Sequence, residues 1–142
     1  TGNEYAEDLV GGNVVLAMAW SGDIIAKQGE KETLVWTLPD EGGMLWTDNM
    51  LIPKGAPNKY TAELFIDFVY DPAIAAQIAA WVNYVTPVKG AREALAASDP
   101  ELAESPLIFP PADVLAKVRI FKTLTEEEEA GYNDKFSEVT GN

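Results

Sequence analysis

Trp46 and Asp48 stand two residues apart in Glu41-Gly-Gly-Met-Leu-Trp-Thr-Asp-Asn-Met-Leu-Ile-Pro53, after a Gly-Gly turn and inside an otherwise apolar stretch. Alternate residues of a strand point to the same side. Read as a strand, this stretch offers an indole face and a carboxylate to one space. That pairing suits an organic cation whose ammonium meets the carboxylate and whose methylenes lie on the ring. A ring face attracts a cation by about 0.5–2 kcal/mol, more as water is excluded. The competing reading is a core tryptophan beside a solvated turn aspartate. It is the stronger one for an isolated pair, and the rest of the chain reverses that order.

Two further aromatics join the constellation. Trp20 closes the apolar run Asn13-Val-Val-Leu-Ala-Met-Ala-Trp20, and Tyr84 follows an apolar helix in Trp81-Val-Asn-Tyr-Val-Thr-Pro-Val88, where a break in the chain could aim its ring outward. Trp36 and Trp81 fall on faces that read as core. Asp23, Glu41 and Asp48 are the acids near predicted strand ends. Hydrolysis by paired carboxylates is always open to an acidic chain, but spacing identifies a partner for none of the three. Lys89 and Arg92 read as the solvated start of a helix rather than a phosphate site. In Thr125-Glu-Glu-Glu-Glu129 the threonine and Glu128 form a capping box, and acids in a first helical turn favour the helix dipole. That run needs no metal to explain it.

Composition narrows the classes. The 142 residues suit one ordinary domain with a core, and 47% apolar with 23% charged content describes a globular chain. A net charge of −13 lacks the basic footprint that nucleic acid requires. Without histidine or cysteine, the chain excludes Ser-His-Asp and Cys-His catalysis, zinc sites built on those ligands, and disulfides within itself. The glycine motifs of nucleotide binding and the G-x-S-x-G elbow are missing too. No cofactor or metal is called for. No apolar run approaches the ~20 residues of a membrane span. The opening Thr-Gly-Asn-Glu-Tyr-Ala-Glu-Asp is unlike a signal peptide and reads as the interior of a longer protein.

The elements that must position these residues follow an α/β pattern. Tyr5 to Val10 reads as the end of a helix stopped by Gly11-Gly12, and Asn13 to Trp20 as a strand covered on both faces. Ser21-Gly22-Asp23 caps a short helix from Ile24 to Gln28, and Thr33 to Leu38 is a second strand. Such a strand-helix-strand unit belongs to open sheets that bind ligands at the carboxyl ends of their strands. The Trp46 strand comes next. Helical spacing begins at Leu64, and Asp71-Pro72 starts a further helix with Ile74, Ile78 and Val82 as its buried stripe. Gly90–Ala97, a stretch capped by Asp99-Pro100, Asp113–Phe121 and a helix from Thr125 through Phe136 complete the order.

Taken in order, these segments resemble the C-terminal part of spermidine/putrescine-type substrate-binding proteins, the receptors of polyamine ABC importers. The resemblance lies in Gly12-Asn-Val-Val-Leu-Ala-Met-Ala-Trp-Ser-Gly22, the 41–53 block, Ala62-Glu-Leu-Phe-Ile-Asp-Phe-Val-Tyr-Asp-Pro72 and Asn83-Tyr-Val-Thr-Pro87. The 41–53 block is the most specific of them. From Ala91 onward the match is in outline only.

The resemblance implies a segment of a two-lobed type II periplasmic-binding-protein fold, incomplete without its N-terminal part. It puts 1–47 and 88–142 in one lobe and 48–87 in the other. It implies a periplasmic or extracellular receptor, free or tethered by a lipid, that closes on a polyamine and hands it to a membrane permease. Trp20 and Trp46 would be aromatic walls, Asp48 the carboxylate that pairs with an amine, and Tyr84 a further cleft aromatic. Near the C-terminus an amide often helps hold an amine, and Lys122 falls there in this chain. The segment would then need its N-terminal part or an exchanged copy for stability. The alternatives are a receptor for another small cation or amino-acid-like solute and, from a different class, a carboxylate-based hydrolase.

Overall fold

The computed structural model describes residues 4–141. Among the described residues eight helices dominate: α1 Tyr5–Gly11, α2 Ser21–Gln28, α3 Lys59–Val69, α4 Pro72–Val82, α5 Ala91–Ala96, α6 Pro100–Ala103, α7 Ala112–Leu115 and α8 Glu126–Thr140. Two short strands, β1 Gly43–Met44 and β2 Val118–Arg119, pair in parallel. Gly43 stands opposite Val118 and Met44 opposite Arg119, and Leu45 N–H extends the ladder to the Arg119 carbonyl at 2.8 Å.

Local chemistry sets most helix ends. Gly12 ends α1 with φ 75°, a left-handed turn that costs glycine nothing. The Asp71 carboxylate accepts from the backbone N–H groups of Ala73 and Ile74, and Pro72 occupies the first helical position, where no N–H is needed. Asp99 does the same for α6 through Leu102 N–H at 2.9 Å. Thr125 and Glu128 close a reciprocal capping box at α8. The core sits where α4, α5 and α6 meet: Ala76, Leu95 and Ala103 are buried, with Ala80, Ala94, Leu102 and Phe109 packed around them. Small side chains let these helices approach closely. Arg92 fastens α5 to α6 through the Ala103 carbonyl and an ion pair with Glu104 at 2.7 Å, so it is an anchor rather than a solvated helix start.

Several expectations need correction. The stretches 13–20 and 33–38, and the expected Trp46 strand over 46–53, run outside helices but join no ladder among the described residues. A strand needs a neighbour for its N–H and C=O groups, and Val15 and Met18 stand 96% and 97% exposed. The sequence pattern for a doubly covered strand is there, while the covering elements are not among these residues. The helix expected over 113–121 stops at Leu115, and its remainder supplies β2. The buried stripe of α4 is Ala75, Ala76 and Ala79, whereas Ile78 and Val82 are exposed. Trp81, expected in the core, is 87% exposed. The bulky face of α4 and the alanine face competed, and the tight contact with α5 selected alanine.

Candidate ligand-binding site

The Ala19–Trp20 peptide unit is the point from which the site is built. Its carbonyl accepts from the Trp36 indole N–H at 2.9 Å, and its N–H donates to the Tyr5 hydroxyl at 3.2 Å. No ladder satisfies this peptide, so side chains do. Trp20 then caps α2, and its own carbonyl accepts the first helical bond from Ile24 N–H. Trp36, expected in the core, is half-buried and serves as one of these anchors.

So held, Trp20 meets Trp46. Their ring centroids are 4.4 Å apart with the planes tilted by 57°. Tilted aromatic contact is favoured by the ring quadrupoles. Trp20 is 43% exposed and Trp46 37%, so each ring keeps an open face. Two carbon contacts of about 3.5–4.0 Å each would be needed to thread a methylene chain between facing rings. A separation of 4.4 Å leaves no such slot. The two indoles meet as adjoining walls of a corner, and an aliphatic chain could lie only along its open side.

One turn into α2, Asp23 presents a carboxylate to two phenols. Tyr84 donates to Oδ1 at 2.8 Å and Tyr5 donates to Oδ2. Burial, and then the hydrogen bond to Asp23, hold both phenols above the ordinary tyrosine range, so they remain donors through neutral pH. A carboxylate offers roughly four lone-pair positions, and two donors leave room for a cation. Tyr84 reaches this place because Asn83 ends α4 in the left-handed region at φ 59° and turns the chain back. Its ring lies on Gly22: a Cβ there would stand 2.6 Å from Cδ2 and 2.7 Å from Cζ.

Of the four residues singled out from sequence, the structure brings Trp20 and Trp46 into ring contact and ties Tyr84 to α2 through Asp23. Asp48 lies on the exposed extended segment beyond Trp46, and among the described residues no hydrogen bond or ion pair engages its carboxylate. The phenol–carboxylate triad was the part the sequence reading missed. Its signal was present in Trp-Ser-Gly-Asp, where an acid follows an aromatic at a helix start, but the partners lie 18 and 61 residues away. Lys122 is exposed and its ammonium pairs with Glu128 at 2.6 Å. That pairing, with the Thr125 N–H, holds the Glu128 carboxyl below its usual range.

Residues 1–110 match the family model described as bacterial extracellular solute-binding protein. The chain belongs to this family. Among its relatives are the spermidine/putrescine-binding periplasmic proteins of Salmonella typhimurium, 37% identical over 117 residues, and of Escherichia coli, 37% identical over 115. These alignments cover 81% and 80% of this chain and 31% and 30% of the relatives. A putrescine-binding periplasmic protein of Escherichia coli is 33% identical over 126 residues, covering 84% of this chain and 33% of its own. The chain thus spans about a third of the length of the curated relatives it matches.

Proposed function

We propose that this chain is the ligand-holding part of an extracytoplasmic receptor for a polyamine of the putrescine/spermidine class, delivering it to an ABC-type membrane permease. The Trp20–Trp46 corner carries this reading: two partly exposed indoles, with a carboxylate two residues beyond one and three beyond the other. Ammonium groups lose hydration on entry, and isolated buried charges are costly unless paired. Asp48 would pair with one amine and Asp23, already oriented by two phenols, with another. The indoles would cover the methylenes between them, and Tyr84 would hold Asp23 in place. The printed names of the relatives, spermidine/putrescine-binding and putrescine-binding, support the same ligand class. Their printed location supports a periplasmic or extracellular setting.

The same reading includes a two-lobed type II α/β fold, with 1–47 and 88–142 in one lobe and 48–87 in the other. The apolar, exposed run Val14–Met18 supports a sheet completed by an N-terminal part of the protein or by an exchanged copy. Closure of the lobes would favour one of two existing states and present a surface for the permease. The test is competition. Diamines should displace a labelled polyamine from the full chain while amino acids do not. Displacement by amino acids alone would favour a receptor for amino-acid-like solutes, and turnover of a bound compound would favour the carboxylate hydrolase.

A further inference from the structure

The two polar groups of the Ala19–Trp20 peptide are both taken by side chains from other parts of the chain, Trp36 on the carbonyl and Tyr5 on the N–H. The Tyr5 hydroxyl donates to Asp23 while it accepts from Trp20, which a hydroxyl with one proton and two lone pairs can do at once. One phenol therefore links the backbone under the Trp20 wall to the Asp23 carboxylate. Helix α1, which carries Tyr5, is itself pinned by the Lys31 ammonium, which donates to the Leu9 and Val10 carbonyls at 2.9 and 3.1 Å; the solvent-facing Lys27–Glu7 pair at 2.7 Å adds little to this.

We propose that Tyr5 is a positioning residue of the site, fixing the Trp20 indole and the Asp23 carboxylate relative to each other without touching the ligand. With the N–H edge of the 19–20 peptide held by Tyr5 and the C=O edge by Trp36, the orientation of that peptide plane is restrained, and with it the Trp20 Cα from which the indole extends. Loss of the Tyr5 hydroxyl frees the N–H edge and one carboxylate oxygen together. The ring of Tyr5 would stay, so the packing of α1 would not change. The inference rests on the polyamine reading for its ligand, although the positioning of Trp20 can be read without any ligand.

The experiment is Tyr5→Phe in the full chain, with two readouts and one control. The first is the exciton signal of the Trp20–Trp46 pair in circular dichroism, identified as the part lost in Trp46→Phe. It should weaken clearly in Tyr5→Phe with no ligand present. The second is putrescine and spermidine affinity in a double-mutant cycle with Trp20→Ala. Tyr5→Phe alone should lower affinity about two- to tenfold, the scale of having to order one released side chain on binding. In the Trp20→Ala background it should lower affinity less, because residues that act through one another are not additive, and only the part that acts through Asp23 should remain. Glu7→Gln breaks an exposed ion pair on the same helix and should leave both readouts unchanged. An unchanged exciton signal, an equal loss in both backgrounds, or an equal effect of Glu7→Gln would overturn the proposal. If the parent binds no polyamine, the ligand reading fails, while the exciton signal still decides whether Tyr5 positions Trp20.

Discussion

Tyr84 and Asp23 share a 2.8 Å hydrogen bond across 61 residues of chain, which ties the turn after α4 to the first turn of α2. The bond brings an aromatic from the middle of the sequence to the helix that begins at Trp20. It also explains why position 22 is glycine. The Tyr84 ring occupies the space a side chain would need.

Gly22→Ala should therefore be destabilising. Its Cβ would press on Tyr84 ring atoms, and the hydroxyl's bond to Asp23 holds that ring in place rather than leaving it free to swing away. Overpacking of this kind costs about 1–3 kcal/mol, and a lowered thermal midpoint in the full chain would register it. Unchanged stability would mean that Tyr84 can leave this position at little cost.

Asp23→Asn tests the same bond from the other side. Hydrogen bonds to a charged group contribute about 1.5–3 kcal/mol when well shielded, and partial exposure here brings the expected loss to about 1–2 kcal/mol. The phenols should respond as well. Their folded-state pKa values lie above the unfolded value of about 10, so the folded form retains these protons after the unfolded form has released them. The stabilisation is fully present below about pH 10 and is lost as pH rises through the folded-state values. In alkaline absorbance titration, two tyrosines should ionise late in the parent and earlier in Asp23→Asn. Identical titrations would contradict the triad.

For ligand binding, Asp48→Asn should cost about 2–5 kcal/mol, the range for removing one partner of a desolvated charge pair. A loss of less than about twofold in affinity, measured by calorimetry, would remove Asp48 from the site. Trp46→Ala should also weaken diamine binding, and unaltered affinity would restrict Trp46 to packing against Trp20.

Lys122→Gln should leave polyamine affinity within about twofold, because its ammonium is already neutralised by Glu128 in an exposed pair. A large gain in affinity would show that this lysine faces the bound cation.

Much of this was legible from the residues. Asp71-Pro72, Asp99-Pro100 and Thr125 with Glu128 announce helix starts through chemistry confined to three or four positions, and each start lies where that chemistry puts it. Trp20 and Trp46 could be paired as candidates because both stand out in apolar runs. What was not legible depends on distant partners. The pairing of β1 with β2 joins Met44 to Arg119, and the Asp23 triad gathers Tyr5 and Tyr84, which no local spacing connects. The α4 stripe was misread because bulk suggests burial, whereas close helix packing against Leu95 favoured Ala76 and its neighbours. The Val14–Met18 run has the composition of a buried strand, and its expected neighbours are not among these residues.

The most direct test is calorimetric titration of the full chain with spermidine and with putrescine at moderate salt, using arginine as the control. Saturable one-to-one binding of a polyamine, with no binding of arginine, is the predicted result. No heat with either polyamine, or preference for arginine, would contradict the account.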